Sequence, residues 1–308
     1  MKALTVATDT MVQGIKLRAE WLSFLDVKPA TSLNYYKALR RFGRWLHCHG
    51  ITAPTESDVR AYKEELINTV APATVALYLV AVKQFFAFLA QRGLYANIAL
   101  GVKGVKVSTE HKRDALTVAQ ARRVLSAINT DTVKGKRDKA LIALLLTTGL
   151  RCIEVSRADV ADIEQWQGQW FMRVQGKGRN EKAERVRIPD STLQLLQEYF
   201  TARGDSDGAL FKALGGRNYG GRLSTQGITK TVKASFVAVG IDSPRITCHS
   251  CRHTFATTAL KNGVDIASVA MVLRHKNIQT TQIYRHDLDR LNNRAETTVA
   301  DSILGGMS

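Results

Sequence analysis

The sequence of 308 residues predicts a mainly α-helical protein with a small antiparallel β-sheet, arranged as two units. Apolar side chains recur every three or four residues through most of the chain, as they do in amphipathic helices. Two segments of alternating polarity, 169–175 and 184–188, enclose a Gly-Lys-Gly turn and predict a β-hairpin. We expect an N-terminal helical unit at 1–100, a linker at 101–113 and a mixed α/β unit at 114–308.

Capping and stop signals predict the helices of the first unit. Thr31 is expected to cap a helix that Gly50 closes, and further helices are expected at 55–67 and at 72–91, the last one stopped by Gly93. The apolar stripe of the helix after Thr31 consists of Leu33, Tyr36, Leu39, Phe42 and Leu46. Because the aromatic residues follow the helical period, we assign them to the core rather than to stacking on bases.

The second unit carries similar signals. Thr117 is a good N-cap residue, and Gly149 is expected to end a strongly apolar helix. Helices are predicted at 118–128, 137–148, 191–203, 225–239, 265–273 and 287–304.

The composition is strongly basic. Lys and Arg number 44 against 27 Asp and Glu, which gives a formal charge of +17, and both units share in the excess. Such a balance favours a polyanionic partner, most often nucleic acid, although some basic proteins have no such partner. The candidate DNA contacts are Lys37, Arg40, Arg41, Arg44, Lys83, Lys103, Lys106 and Arg179. For any one of them, a solvated surface charge is the alternative.

The cysteines and the apolar segments give weaker signals. Four cysteines without a secretory signal predict reduced thiols in the bacterial cytoplasm, and no stretch approaches a membrane span. Cys248 and Cys251 form a CxxC pair beside histidines, but no second pair accompanies them, so a zinc site is disfavoured. We expect no metal and no cofactor, because the sequence has neither a phosphate-binding loop nor an acidic cluster.

The segment 247–285 is the richest in reactive side chains. Thr247 is expected to cap a helix on which His249, Arg252 and His253 share one face. His275 follows the next helix, and Tyr284 lies nine residues further on. Arginine forks and helix N-termini hold anions, and a tyrosine can form a covalent ester. This combination suits nucleophilic attack on a phosphodiester.

Further candidates lie upstream. Arg151 directly follows the apolar helix that ends at Gly149, and Glu154 at i+3 can orient it, although an ordinary surface ion pair is the alternative. Lys177 occupies the tip of the predicted hairpin, where an ammonium could protonate a leaving oxygen or enter a DNA groove. A lysine in a hairpin turn is common and by itself weak evidence.

Taken in order, four motifs resemble those of the tyrosine recombinase (phage integrase) family. They are Thr148-Gly-Leu-Arg151-x-x-Glu154, Gly176-Lys177-Gly178, His249-x-x-Arg252-His253 and Leu273-x-His275-x8-Tyr284. The spacing matches across 112–286, and the N-terminal helices resemble the core-binding, SAM-like domain of that family. The resemblance therefore implies an N-terminal core-binding domain and a mixed α/β catalytic domain.

The resemblance also implies a role for each matching residue. Tyr284 would attack the scissile phosphate, and Arg151 and Arg252 would clamp its non-bridging oxygens. Lys177 would protonate the 5′-oxygen. His249 and His275 would assist by proton transfer at the nucleophile and by hydrogen bonding to the phosphate, while Glu154 would buttress the site. A phosphotyrosyl ester conserves the energy of the broken bond, so rejoining would need neither ATP nor a metal.

The partners follow from the same resemblance. We expect double-stranded DNA with two inverted half-sites, a homotetramer on two duplexes that exchanges strands through a Holliday junction, and an accessory directionality protein. The C-terminal helix at 287–304 would dock on a neighbouring subunit, although packing on its own domain is the alternative.

Two positions depart from the family pattern. The family usually has glycine directly before the third-motif histidine, where this chain has Arg274, which we expect either to contact DNA or to be exposed at a helix end. Cys251 replaces the usual leucine and is expected to alter packing only.

Two other functions remain open at this stage. A type IB topoisomerase uses the same chemistry, and relaxation of any supercoiled plasmid would identify it. A non-catalytic DNA-binding protein on the same fold would keep the basic surface but should have lost a catalytic residue, and here none is lost.

Overall fold

The computed structural model describes residues 8–107, 114–176, 181–275, 277, 281–282 and 295–304, except for the side chains of 8–15, 295–297 and 304. The chain divides into two compact units, Met1–Thr109 and Glu110–Ser308. The described part of the first unit is helical, and that of the second combines helices with one sheet. The predicted fold class is therefore confirmed.

The first unit consists of four helices around an aromatic core. They are α1 (Thr8–Phe24), α2 (Pro29–Cys48), α3 (Glu56–Thr69) and α4 (Pro72–Gln91). Trp21, Phe42, Tyr62 and Phe86 are buried in this core, so the assignment of Phe42 to packing is confirmed. Burying each such ring contributes roughly 1.5–3 kcal/mol, which helps a unit of this size to fold.

Helix α2 differs from its prediction in both start and orientation. It begins at Pro29, which takes the first helical position because proline fixes a helical φ and lacks an N–H that would be unpaired there. The predicted cap at Thr31 was therefore wrong. The expected stripe is also incorrect at two positions, since Leu33 and Tyr36 are 52% and 37% exposed. The buried residues of α2 are Tyr35, Ala38, Leu39, Phe42 and Trp45.

The expectation that no stretch approaches a membrane span was wrong for helix α4. By length and composition, Pro72–Gln91 is the one helix among the described residues that could cross a membrane. Its Val75, Leu79, Val82 and Phe86 are buried against the other helices of the first unit. The apolar character of α4 is therefore explained by core packing.

The expected linker at 101–113 begins within the packed part of the first unit. Ala99 and Val102 are buried in the core of this unit, whereas Lys103 and Lys106 are exposed. Residues 108–113 lie outside the described residues.

The second unit is built around helix α6, whose Leu141, Ile142, Leu144 and Leu145 are fully buried. Its helices are α5 (Val118–Ala127), α6 (Val133–Thr148), α7 (Cys152–Arg157), α8 (Asp190–Arg203), α9 (Thr225–Val237), α10 (Cys248–Lys261), α11 (Ile266–Leu273) and α12 (Ala295–Leu304). Helix α6 begins four residues earlier than predicted, because the Thr132 hydroxyl accepts a hydrogen bond from the Gly135 amide and caps it there.

The sheet has three antiparallel strands rather than two. Strands β1 (Ile163–Trp166), β2 (Gln169–Val174) and β3 (Glu184–Arg187) lie in the order β1-β2-β3. Strand β1 was not predicted from the sequence. Its two-residue turn, Gln167-Gly168, has positive φ at both positions (47° and 74°), which is the geometry of a type I′ hairpin turn, but glutamine is not among the residues that usually signal one.

Gly149, which ends α6, is required by both conformation and space. Its φ is +62°, and a Cβ added there would lie 2.6 Å from Leu273 Cδ2 and 2.9 Å from Phe255 Cδ1. This glycine therefore lets the α6–α7 junction approach α10 and the end of α11 closely.

We expect Gly149→Ala to destabilise the second unit by about 2–5 kcal/mol, because left-handed backbone costs an alanine about 1–2 kcal/mol and overpacking adds about 1–3 kcal/mol. Native-state hydrogen exchange of α6 and α7 peptides measures the loss. Gly204→Ala is the matched control, since Gly204 has a φ of +77° but open space around its Cβ position. Equal effects at the two sites would contradict the steric argument.

Candidate active site

Helix α10, which carries the His249-x-x-Arg252-His253 motif, places Arg252 in the interior of the second unit. Thr247 precedes the helix as predicted, with a capping box formed with Ser250. His249 in the first turn is exposed, whereas Arg252 and His253 are 3% and 4% exposed. Three side chains on one helical face therefore lie at different depths.

The Arg252 guanidinium joins two other segments of the second unit. Its Nη1 donates to the Gly149 carbonyl oxygen at 2.6 Å, and its Nη2 donates to the Leu273 carbonyl oxygen. Both carbonyls belong to helix ends, which leave such groups unpaired within the helix. Arg252 thus connects the end of α6 to the end of α11. Arg151 and His275 each lie two residues beyond one of these carbonyls in the chain.

Arg151 and Glu154 form the contact that their i, i+3 spacing predicts. Arg151 Nη1 donates to Glu154 Oε1 at 2.8 Å, and the Arg151 backbone N–H donates to Glu154 Oε2 at 2.8 Å. The Glu154 side chain is fully buried and that of Arg151 is 23% exposed. The alternative of an ordinary surface ion pair is therefore excluded.

The charge state of Glu154 follows from its neighbours. Burial alone raises the pKa of this carboxyl group, but the charge of Arg274, together with hydrogen bonds and charge from Arg151, outweighs burial and lowers the pKa below its ordinary value. Glu154 is therefore a carboxylate at neutral pH, held between two guanidinium groups.

Arg274 does not lie where the sequence placed it. Its side chain is only 8% exposed, and its Nη2 donates to Glu154 Oε2 at 2.7 Å. The expectation of a DNA contact or an exposed charge at a helix end was therefore wrong. The sequence contained no clear signal for this contact, because 120 residues separate the two partners.

His275 is held as a neutral imidazole. Its Nδ1 is 2.7 Å from the Thr281 hydroxyl oxygen. Burial, followed by the charges of Arg252, Arg151 and Arg274, lowers the pKa of His275 from 6.5 to about 4. The three cations that act on this histidine show that the arginines of three motif segments share one electrostatic environment.

We expect NMR titration of the free protein to show the His275 ring neutral from pH 8 to pH 5, with half-protonation near pH 4. Unfolded chains would bind this proton already below pH 6.5, so the contribution of His275 to stability should fall as the pH drops from 6.5 towards 4. His275→Gln identifies the resonance. A titration centred near pH 6.5 would contradict the electrostatic environment described above.

Three of the residues predicted for the site, Lys177, Arg179 and Tyr284, lie outside the described residues. The structure brings together Arg151, Glu154, Arg252 and His275 from three segments of the second unit, which are the start of α7, α10 and the end of α11. In the chain, Lys177 and Arg179 lie between β2, which ends at Val174, and β3, which begins at Glu184.

Three basic candidates of the first unit occupy one side of α2. Lys37, Arg40 and Arg44 are exposed, opposite its buried stripe. Arg41 is partly buried, and its Nη2 donates to the Thr69 hydroxyl at 3.0 Å. Lys83 on α4 is also partly buried.

The CxxC thiols lie in the core of the second unit. Cys248 and Cys251 are 4% and 0% exposed, and burial raises the pKa of Cys251. The substitution at Cys251 therefore concerns packing, as expected. Among the residues that the structure describes, no three His, Cys, Asp or Glu side chains converge as metal ligands would.

Comparison with known proteins gives consistent matches over both units. The phage integrase family model matches residues 114–290, and the model of the phage integrase N-terminal SAM-like domain matches residues 20–93. The tyrosine recombinase XerC of Myxococcus xanthus is 30% identical over 278 residues, which cover 87% of this chain and 91% of that protein. The tyrosine recombinase XerD of Listeria innocua serovar 6a is 28% identical over 286 residues, which cover 87% and 92%.

Two solved structures share the fold. The XerH site-specific recombinase in its post-cleavage complex with palindromic difH substrate has a TM-score of 0.69 at 19% identity, covering 87% of this chain and 79% of that one. A lambda integrase dimer bound to a COC′ core site has a TM-score of 0.70 at 17% identity, covering 88% and 76%.

Proposed function

This chain belongs to the phage integrase family of tyrosine recombinases, and from that premise we propose that it is a site-specific DNA recombinase. It would cleave and rejoin DNA strands through a 3′-phosphotyrosyl intermediate, within a tetramer that exchanges strands via a Holliday junction.

The observation that carries this proposal is the convergence of Arg151, Arg252 and a neutral His275. Two arginines on separate segments can bind both non-bridging oxygens of one phosphate, and such preorganised donors stabilise the charge that develops in the transition state. A neutral imidazole can donate or accept a hydrogen bond at that phosphate without adding charge. The carboxylate of Glu154 holds Arg151 in place.

In the proposed reaction, the Tyr284 oxygen attacks phosphorus and the bond to the 5′-oxygen breaks. His249 would take the phenol proton, and Lys177 would give a proton to the leaving 5′-oxygen. A phenol has an ordinary pKa of about 10, so the surrounding cations help it to react at neutral pH. Religation reverses these steps, and we propose that no metal or ATP is needed.

The proposed partner is double-stranded DNA with inverted half-sites. The exposed Lys37, Arg40 and Arg44 of α2 would contact its phosphates, as would Lys103 and Lys106, while Arg41 is better placed to brace the helix. An accessory directionality protein stays an expectation. The relatives named above are bacterial, and we propose a cytoplasmic location.

Exposed apolar residues on helix α12 support the proposed tetramer. Val299 and Ile303, one turn apart, are 56% and 68% exposed. An apolar stripe of this kind on a terminal helix suits a second copy of the chain, as the proposed tetramer requires.

The test uses a nicked suicide DNA substrate that carries the junction sequence of the mobile DNA element in which this protein is encoded. The substrate is incubated with the protein in EDTA without ATP, and the reaction is quenched in SDS. We expect protein linked to a DNA 3′ end, with the link mapped to Tyr284 by mass spectrometry of the nuclease-trimmed peptide. Tyr284→Phe serves as the blank.

The same assay separates the alternative functions. Recombined product from two sites supports a recombinase, whereas site-independent relaxation of supercoiled plasmid would identify a topoisomerase. Tight binding without an adduct on the nicked substrate would identify a non-catalytic DNA-binding protein.

A further inference from the structure

The Arg274 side chain lies between two carboxylates from different elements. Its Nη2 is 2.7 Å from Glu154 Oε2 at the start of α7, and its Nε is 3.4 Å from Glu184 Oε2 at the start of β3. Its Nη1 donates to the Val272 carbonyl oxygen at 2.7 Å, which folds the side chain back over the end of α11. One arginine thus connects three segments.

The backbone of Arg274 is unusual for a residue with a side chain. It follows the last residue of α11 in the left-handed conformation, with φ 55° and ψ 47°. The Arg274 amide donates to the Met271 carbonyl at 2.9 Å and the His275 amide to the Ala270 carbonyl at 3.0 Å, which is a Schellman ending. Glycine is the usual residue there, because a residue with a Cβ is strained in the left-handed conformation.

The side chain must therefore compensate for a conformation that glycine would adopt without strain. It does so chiefly with its ion pair to Glu154, which is almost entirely withdrawn from water, since Glu154 is fully buried and Arg274 is 8% exposed. Arg274 also adds a positive charge to the Arg151–Glu154 pair, because the Glu154 carboxylate accepts hydrogen bonds from both Arg151 and Arg274.

We propose that Arg274 is a positioning residue for cleavage: it fixes Glu154, and through it the Arg151 guanidinium, while its contact with Glu184 holds the start of β3. This inference rests on the proposed function. Because His275 is the next residue, the same turn also fixes the imidazole relative to the two arginines.

The substitution Arg274→Gly tests the inference without straining the turn, because glycine accepts the left-handed backbone and Glu154 keeps its ion pair with Arg151. We expect its single-turnover cleavage of the suicide substrate to be slower by on the order of 100-fold, since a small misplacement of reacting groups has effects of that size. DNA affinity should remain within about twofold. Arg274→Lys keeps a cation beside Glu154 and should recover part of the rate.

A second readout distinguishes positioning from general stability. Arg274 is one of the three cations beside His275, with Arg151 and Arg252, so Arg274→Gly should raise the His275 pKa above its value of about 4. Arg185→Ala is the matched control, because Arg185 lies next to Glu184 on β3 and forms an ion pair with Glu164. This variant should leave both the cleavage rate and the His275 titration unchanged.

The outcomes separate the inference from the function on which it rests. If the wild-type protein forms no adduct, the proposed function fails and the positioning role fails with it. If the wild type forms the adduct and Arg274→Gly cleaves within twofold of it with an unchanged His275 titration, the positioning role alone is overturned.

Discussion

Replacement of Arg252 by alanine is expected to slow single-turnover DNA cleavage by about 100- to 1,000-fold, the usual effect of deleting one preorganised donor to a developing oxyanion. In the structure, this guanidinium holds the Gly149 carbonyl at 2.6 Å and the Leu273 carbonyl. Its loss would therefore remove a phosphate ligand and also release the segments that carry Arg151 and His275. Quenched-flow assays on the suicide substrate measure the rate.

The matched control for Arg252 is Arg203, whose side chain is 3% exposed. Its Nη1 likewise donates to backbone carbonyls, those of Ala209 and Leu210, at 3.0 and 3.1 Å. Arg203→Ala should destabilise the second unit comparably and leave the cleavage rate of the folded protein nearly intact. Arg252→Ala with a rate within threefold of wild type would disprove the role of Arg252.

Replacement of Glu154 by alanine is expected to destabilise the second unit by about 3–5 kcal/mol, the typical cost of removing one partner from a buried ion pair. Arg151 and Arg274 would lose the carboxylate they share, and two like charges would face each other. Hydrogen exchange of α6 and α7 peptides measures the loss in this two-unit chain. Glu164→Ala is the control, because Glu164 is 30% exposed and its pair with Arg185 is worth about 0–1 kcal/mol.

The pH dependence of this difference has a definite sign. The folded-state pKa of Glu154 lies below the ordinary 4.5, so the carboxylate stabilises the folded state above pH 4.5, and this contribution is lost as the pH falls through the folded-state pKa. The advantage of wild type over Glu154→Ala should be full at pH 7 and shrink below pH 4.5. An advantage that stays constant down to pH 3 would show that packing, rather than charge, dominates.

Periodicity and caps predicted the parts of the fold that depend on local signals. Thr117 and Thr247 cap helices where expected, and the Arg151–Glu154 contact follows from i, i+3 spacing. In the first unit, the helical period placed Phe42 in the core, although the start of α2 was misplaced because Pro29 takes its first position and Thr31 lies inside the helix.

The long-range contacts could not be predicted in this way. The position of Arg274 depends on a left-handed residue that glycine normally supplies, and on a carboxylate 120 residues away. The bonds from Arg252 to Gly149 and Leu273 likewise form only when three helices have packed. Strand β1 was missed because Gln167 is an uncommon residue for a turn with positive φ.

The two carbonyl bonds of Arg252 affect how a cleavage-deficient version of this protein should be made. Many active-site side chains can be removed with a gain in stability, because they are held in strained surroundings for the sake of function. Arg252 is the opposite case, since the fold depends on the same guanidinium that the reaction is proposed to need. An inactive reagent for mapping genomic binding sites should therefore carry Tyr284→Phe and keep Arg252, or it would report the occupancy of a loosened protein.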